Sequence, residues 1–256
     1  MKAAYLQNQA VHVGTLPDPV PGTGQVLVRT HSCGLCASDA HVYALGPKVV
    51  AASREFGGPY GHLDLARPFV PGHEFVGEIL DYGPGTQQRL RPGTRVTSAP
   101  VLRHAGGHEI IGYSHDYPGG FGEYMLLDAA ALMEVPAVVD DAMASMIEPL
   151  SVGLEHARMG EPTADDVPLV VGCGAIGLGV IAGLRLRNIR PIVAADLDPQ
   201  RRAVALATGA DLALDPRASS PYGPLPALGG RRVTLIYECM AQPSAPVRTV
   251  VDPRRP

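Results

Sequence analysis

The sequence predicts a β-rich N-terminal domain followed by an α/β domain with a parallel sheet, and two patterns carry this prediction. Over about the first 135 residues, short β-branched runs alternate with turns that contain proline and glycine. Beyond Pro168 the apolar runs follow a strand–helix–strand order, which is typical of a parallel sheet. We therefore expect two domains, residues 1–150 and residues 151–256.

The N-terminal domain is predicted to be a small β-barrel or sandwich, because its strand candidates are short and irregularly spaced. The clearest strand candidates are residues 26–30, 75–80, 95–97 and 124–127. Turns are expected at residues 21–24, 83–85 and 91–93. Near the domain boundary, Asp140 and Asp141 are suited to begin a helix, which Pro149 is expected to interrupt.

The composition is that of a folded chain and argues against several classes of protein. With 256 residues, of which 46% are apolar and 18% charged, the chain is long enough for a buried core. Its net charge of −4 argues against a nucleic-acid partner, because phosphate binding requires clustered excess lysine and arginine. Four cysteines are too few for a disulfide framework, and the first residues lack the apolar core of a signal peptide. We expect a cytoplasmic protein.

A glycine-rich turn lies inside an uncharged stretch of 18 residues, 167–184. That length suggests a membrane span, but Pro168 and five glycines favour a strand, a turn and a helix instead. The turn itself reads Gly172-Cys173-Gly174-Ala175-Ile176-Gly177, a G-x-G-x-x-G motif between an apolar strand and an apolar helix. In a dinucleotide site the three glycines allow a tight turn, close approach of a pyrophosphate, and close packing of helix on strand. The motif therefore predicts a Rossmann-type nucleotide-binding sheet.

The residue after the second apolar strand supports this interpretation. Asp196 follows the run 191–195 and lies 22 residues after Gly174. A carboxylate at this position accepts hydrogen bonds from a ribose diol and repels a 2′-phosphate. The sequence therefore favours NAD over NADP.

Two candidate metal ligands, Cys36 and His73, are separated by 37 residues. Each alone has an ordinary explanation, since cysteine is often buried and a single histidine is usually a hydrogen-bonded polar group. Cys33 and Cys36 also form a C-x-x-C, but the βαβ context of a redox motif is absent. The spacing alone does not decide whether these residues form a zinc site.

Five segments in order resemble the zinc-dependent medium-chain alcohol dehydrogenase family. They are the nucleotide turn at 172–177 and the segments GLCASDAH at 34–41, PGHEFVGE at 71–78, GGFGEY at 119–124 and EPLSVGL at 148–154. The resemblance extends from residue 1 to about residue 240. It implies a GroES-like β-barrel catalytic domain followed by a Rossmann NAD-binding domain.

The resemblance also implies a zinc site and a proton relay in the first domain. Cys36, His73 and a carboxylate would bind one catalytic Zn²⁺ with an open position for water or substrate. Glu74 and Glu148 are both candidates for that carboxylate, and Asp39 resembles the acid that orients the ligands. Ser38 and His41 match the family's proton relay, although a turn hydroxyl and an exposed histidine are alternatives.

In the second domain, Arg201 occupies a position where the family often carries a basic contact to the adenosine ribose. A solvated helix charge is an alternative for this residue. Taken together, the residues and the resemblance predict hydride transfer between a secondary alcohol or polyol and NAD.

The sequence departs from the family pattern in the segment 99–122, which contains no cysteine. Many members carry four cysteines there for a structural zinc, so we predict one zinc per chain. Together with Glu148, this tilts the substrate towards a polyol or secondary alcohol.

The C-terminal end also departs from the pattern, because only four of the six strands of a full dinucleotide-binding sheet are visible. We expect an incomplete sheet in which residues 233–237 form an exposed edge strand, before a proline-rich end at 241–256. The family is homodimeric or homotetrameric, and we expect its interface segment to be missing from this sequence. Two alternatives remain: an inactive zinc- or nucleotide-binding remnant, and a zinc-free member related to quinone reductases.

Overall fold

The computed structural model describes residues 1–104, 106–222, 225–240 and 249–251. The chain divides into two compact units, Met1–Glu148 and Pro149–Pro256. The first unit is built mainly of antiparallel strands and the second contains a mostly parallel sheet with helices. This is the order of architectures that the sequence predicts.

The first unit is organised around a five-stranded antiparallel sheet and two hairpins. Its strands are β1 (Lys2–Gln7), β2 (Ala10–Thr15), β3 (Gln25–Gly34), β4 (Glu74–Tyr82), β5 (Arg95–Thr97), β6 (Val101–His104), β7 (Gly107–Ile110), β8 (Tyr124–Asp128) and β9 (Met133–Glu134). The large sheet has the order β8-β3-β4-β5-β9, while β1 pairs with β2 and β6 with β7. The four strand candidates fall inside β3, β4, β5 and β8, and Val28, Ile79 and Met125 from three of these strands are fully buried in one core.

A long helix in the first unit, α1 (Ala37–Phe56), was not predicted from the sequence. It begins after Cys36, whose N–H donates to the Asp39 carboxylate, and ends at Gly57, which has a φ of 71°. The helix is kinked where Leu45 leaves helical φ/ψ, two residues before Pro47. Gly46 and Pro47 are residues typical of a turn. They interrupt the helical pattern, so the sequence did not predict a helix here.

The helix expected at Asp140 is shorter than predicted. The Asp140 side chain accepts from the Met143 N–H at 2.7 Å, as a capping residue does, but α2 (Asp141–Ala144) spans a single turn. A new helix, α3 (Ile147–Met159), follows it and contains Pro149 in its first turn. The prediction that Pro149 interrupts a helix is therefore wrong, because the first turn needs no N–H donor from proline.

The second unit contains one five-stranded sheet. Its elements after α3 are β10 (Pro168–Val171), α4 (Ala175–Leu186), β11 (Val193–Ala195), α5 (Pro199–Thr208), β12 (Leu212–Leu214), a 3-10 turn (Pro226–Leu228), β13 (Leu235–Glu238) and β14 (Thr249–Val251). The strand order is β12-β11-β10-β13-β14, and the pairs formed by the first four strands are parallel. The uncharged stretch at 167–184 thus divides into β10, the glycine-rich turn and most of α4.

The strand β13 differs from the exposed edge that the sequence predicts. β14 pairs antiparallel with it on the outer side, and Leu235 and Tyr237 are fully buried. The Tyr237 hydroxyl donates to the carbonyl oxygen of Ala157 at 3.1 Å. Residues 241–248 and 252–256 of the proline-rich end lie outside the described residues. Within the described part of the chain, none of the helices has both the length and the apolar character needed to cross a membrane.

Candidate functional site

Three side chains with metal-binding atoms meet in the first unit. One ligand atom from each of Cys36, His73 and Glu74 lies within 4.8 Å of the others. Cys36 lies between the end of β3 and the start of α1, His73 directly precedes β4, and Glu74 is the first residue of β4. Because β3 and β4 are antiparallel neighbours in which Gly34 is paired with Glu74, their register closes the 37-residue gap between Cys36 and His73.

Glycine at position 34 makes room for the carboxylate of this cluster. A Cβ atom at Gly34 would lie 2.3 Å from Glu74 Oε2, which is closer than van der Waals contact allows. The Glu74 side chain therefore occupies the space above the Gly34 backbone, and it is buried together with His73. Cys36 is partly buried.

The donor set fits a divalent cation of the zinc type. Burial raises the pKa of the Cys36 thiol, an effect that a hydrogen bond with Ser38 partly offsets. Burial also raises the pKa of Glu74, and a hydrogen bond with Cys36 partly offsets this rise. A thiolate, an imidazole and a carboxylate are typical zinc ligands, and three protein ligands leave a fourth position open, as in catalytic sites.

Asp39 lies beside this cluster and contacts two of its members. Its Oδ2 accepts the Cys36 N–H at 3.0 Å, and its Oδ1 lies 3.7 Å from Nδ1 of His73. This His73 nitrogen is buried and has no hydrogen-bond partner among the residues that the structure describes. An imidazole that binds a metal through one nitrogen usually donates from the other to a carboxylate or carbonyl, so Asp39 is placed to orient His73.

Tyr113 is a residue of this site that sequence reasoning missed. Its hydroxyl lies 2.8 Å from Asp39 Oδ1 and 2.9 Å from Ser38 Oγ, and its side chain is only 1% exposed. Burial raises the pKa of Tyr113 above its ordinary value, so the phenol is neutral. Tyr113 stands 74 residues after Asp39 in a segment without a recognisable motif, and no sequence signal connects the two.

The other predicted residues of the first unit take less defined positions. Ser38 and His41 lie three residues apart on α1, so they share one helix face, and both are partly buried. Glu148 is near the start of α3 and is not a member of the group formed by Cys36, His73 and Glu74. The cysteine-free segment 99–122 contains the β6–β7 hairpin.

The nucleotide turn in the second unit has the geometry that its glycines predict. Gly172 has a φ of 89°, which L-residues with a side chain rarely adopt. A Cβ at Gly177 would lie 1.9 Å from the Gly172 carbonyl oxygen, so the helix packs closely against the turn. A Cβ at Gly174 would meet nothing within 4 Å, which leaves open space at the N-terminus of α4. Ala175 and Ile176 form the start of that helix, where backbone N–H groups lack helical partners.

Asp196 is tied to this turn by hydrogen bonds. Its Oδ2 accepts the Cys173 N–H and its Oδ1 accepts the Asp198 N–H, both at 2.8 Å. The carboxylate is thereby fixed at the carboxyl end of β11, next to the glycine-rich turn. Arg201 is exposed on α5, whereas the neighbouring Arg202 donates to the Asp196 carbonyl oxygen at 2.7 Å.

Comparisons with known proteins agree with both halves of this description. A model of the alcohol dehydrogenase GroES-like domain matches residues 22–137. The chain is 31% identical to (R,R)-butanediol dehydrogenase of Bacillus subtilis over 226 residues, which are 84% of this chain and 63% of that protein. It is 32% identical to the starvation-sensing protein RspB of Escherichia coli K12 over 243 residues, which are 88% of this chain and 65% of that protein. The chain thus spans a little under two thirds of the length of these relatives.

A solved structure extends the likeness to the fold. The RspB alcohol dehydrogenase of E. coli CFT073, complexed with NADH, has a TM-score of 0.76 and 30% identity, covering 95% of this chain and 70% of that one. The expected GroES-like domain and partial Rossmann sheet are confirmed by these matches. On the motifs, the fold and these likenesses, the chain belongs to the zinc-dependent medium-chain alcohol dehydrogenase family.

Proposed function

We propose that this protein transfers a hydride between a secondary alcohol or polyol and NAD with the help of one catalytic zinc. The observation that carries the proposal is the convergence of Cys36, His73 and Glu74, whose ligand atoms lie within 4.8 Å of one another. The glycine-rich turn with its tethered Asp196 supplies the second requirement, a place for a dinucleotide.

Cys36, His73 and Glu74 would hold the zinc, and Glu148 is the alternative carboxylate. A zinc ion held there would supply a Lewis acid for the alcohol oxygen, and NAD would supply the hydride acceptor. Because the segment 99–122 has no cysteine for a four-cysteine structural site, we propose a single zinc per chain.

The side chains of the first turn of α1 handle the proton. Ser38 accepts the alcohol proton and passes it outward through His41, which lies on the same helix face. Asp39 keeps the His73 ring in its orientation, since its Oδ1 is the carboxylate oxygen 3.7 Å from the unpartnered Nδ1. Each of these roles uses a residue that α1 or the start of β4 holds close to the cluster.

The second unit binds the dinucleotide through its backbone and one carboxylate. The open space at Gly174 lets a pyrophosphate approach the N-terminus of α4, whose N–H groups and dipole favour an anion. Asp196 accepts from the ribose diol, which favours NAD over NADP, and Arg201 is exposed where it could contact the adenosine ribose.

The substrate class rests on the relatives and on the donor set. A butanediol dehydrogenase is among the similar proteins, and Glu148 together with the missing cysteines in the segment 99–122 points the same way. We propose a small secondary alcohol or polyol as substrate and a homo-oligomer as the functional assembly. Cys33, Cys36 and Cys173 are free thiols, which suits the reducing cytoplasm where we expect the protein to act.

Zinc content and turnover together test this proposal. We would measure zinc per chain by elemental analysis in the purified protein, in Cys36→Ser and in Cys239→Ser, a matched cysteine substitution in the other unit. About one zinc per chain is expected in the parent and in Cys239→Ser, and far less in Cys36→Ser. NADH formation from secondary alcohols and polyols is expected only where zinc is retained.

The two possible failures of the proposal are distinct. A folded parent protein without zinc would remove the metal site and the mechanism with it. Full zinc occupancy without NADH formation from any alcohol would overturn hydride transfer and favour a protein that binds zinc or nucleotide without catalysing the reaction.

A further inference from the structure

We propose that Tyr113 is a positioning residue that fixes Ser38 and Asp39 beside the metal cluster. The proposal deepens the function given above and rests on it for the role of Ser38. Its basis is a chain of two hydrogen bonds that share the Tyr113 hydroxyl. Tyr113 Oη lies 2.9 Å from Ser38 Oγ and 2.8 Å from Asp39 Oδ1.

One phenol oxygen contacts both residues of this chain. A phenol has one hydrogen and a carboxylate oxygen accepts, so Tyr113 donates to Asp39 Oδ1 at 2.8 Å. Ser38 Oγ lies 2.9 Å from the same phenol oxygen, so Tyr113 also fixes the position of the serine hydroxyl. The group that would take the proton from an alcohol is therefore held in place by a buried phenol.

The same phenol determines where the Asp39 carboxylate stands. Its two oxygens serve different partners, with Oδ2 on the Cys36 N–H and Oδ1 on Tyr113. Since Oδ1 is also the oxygen nearest to Nδ1 of His73, Tyr113 holds it at one side of the imidazole. Asp39 therefore connects Tyr113 to two of the three candidate ligands, Cys36 and His73.

Tyr113 is itself rigidly held, as a positioning residue must be. Its ring is buried in a core cluster with Val42, Leu63 and Phe69, and it forms a T-shaped contact with the Tyr60 ring, with centroids 4.8 Å apart. Val42 lies on α1 one turn beyond Ser38 and Asp39, so ring and hydroxyl engage the same helix face. A phenylalanine would keep these ring contacts and lose only the two hydrogen bonds.

The test compares Tyr113→Phe with the parent protein and with Tyr82→Phe. Tyr82 is a matched control, because its hydroxyl donates to the Leu90 carbonyl oxygen at 2.9 Å while its side chain belongs to a different core cluster of the first unit. We expect zinc affinity, measured by chelator competition, to fall about tenfold in Tyr113→Phe, because Tyr113 holds Asp39 and the loss of an acid that orients a ligand typically costs tenfold to 100-fold. Tyr82→Phe should lose about as much thermal stability as Tyr113→Phe, but it should bind zinc with the affinity of the parent protein.

A double variant shows whether Tyr113 acts through Asp39. Asp39→Ala should weaken zinc binding, and adding Tyr113→Phe should weaken it no further, because the alanine variant already lacks the carboxylate that Tyr113 holds. With an alcohol and NAD, Tyr113→Phe should lower kcat about tenfold while KM stays within about twofold, since Ser38 acts on the reacting proton.

Two results would overturn the inference. One is parent zinc affinity and parent kcat in a folded Tyr113→Phe protein, and the other is losses that add fully in the double variant. If the parent binds zinc but oxidises no alcohol, the proposed function fails, while the zinc measurements still decide the role of Tyr113.

Discussion

The glycine-rich turn and the candidate metal cluster are built in opposite ways. The turn is six consecutive residues, 172–177, and works through its backbone, with glycines where a side chain would block a bend, a ligand or a helix. The cluster is assembled from side chains at positions 36, 73 and 74, which the register of β3 and β4 brings together. A local backbone motif can therefore be predicted from the sequence in detail, whereas the cluster depends on long-range pairing and on neighbours without a motif.

The largest effect is expected when the cluster loses its carboxylate. Glu74→Gln removes the only negative oxygen ligand that lies within 4.8 Å of Cys36 and His73 among the described residues. Zinc affinity should fall by more than about 100-fold, because loss of a direct ligand exceeds the tenfold to 100-fold cost of losing a ligand's partner. Chelator competition on the purified protein measures this change.

Glu148→Gln is the matched control for that substitution, since it makes the same chemical change outside the cluster. It should keep zinc affinity within about tenfold of the parent. Equal losses in the two variants would contradict the assignment of Glu74 as the sole carboxylate ligand, and a larger loss in Glu148→Gln would reverse it.

Adding one methyl group to the glycine-rich turn should lower stability at one position and NADH affinity at another. Gly177→Ala places a Cβ 1.9 Å from the Gly172 carbonyl oxygen, so we expect a loss of about 1–3 kcal/mol in the free energy of unfolding. Gly174→Ala places a Cβ in open space and should change stability by no more than about 0.5 kcal/mol, while NADH affinity falls. Urea unfolding and NADH fluorescence titration measure the two effects.

Two results would contradict the different roles that we assign to Gly174 and Gly177. If Gly174→Ala leaves NADH affinity unchanged, the space at the start of α4 does not receive the pyrophosphate. If Gly177→Ala is as stable as the parent, the close approach of helix and turn is not required for folding.

The outcome of the sequence predictions follows the same division between local and long-range structure. The four strand candidates of the first unit, the glycine-rich turn and the Asp140 cap were all identified correctly, because alternation, glycine spacing and capping are local signals. Pro149 was misjudged because the sequence does not say whether a proline ends one helix or opens the next.

Other features escaped prediction because their cause lies far along the chain. The kink before Pro47 made α1 hard to predict from the sequence. The buried apolar side chains of this helix pack in one core cluster with Leu63 and Phe69. Tyr113 reaches the site only through the fold, since its partners Ser38 and Asp39 lie more than 70 residues earlier. The proximity of Glu74 to Cys36 and His73 likewise follows from the register of β3 and β4, which the sequence alone does not reveal.

The smallest effect is expected at the ion pair that ties the β6–β7 hairpin to β8. Arg103 on β6 bonds the carboxylate of Asp128 at the end of β8 with Nε at 2.6 Å, and this hydrogen bond lowers the pKa of Asp128. A lowered pKa means that the pair stabilises the fold above the ordinary carboxyl pKa of about 3.9 and that this contribution disappears as the pH falls. Because Arg103 is largely exposed, Arg103→Gln should lower the urea midpoint at pH 7 by no more than about 0.5 M, and by less at about pH 3.

The same variant separates the hairpin from the metal cluster. The hairpin precedes Tyr113 by only three residues, so a general loosening of this segment could in principle imitate the loss of the phenol. Tyr113, however, is held by its own ring contacts with Val42 and Tyr60 and does not depend on Arg103 for them. Arg103→Gln should therefore keep the parent zinc affinity at pH 7. A tenfold loss, equal to that expected for Tyr113→Phe, would mean that anchoring of the hairpin rather than the phenol hydroxyl governs the cluster.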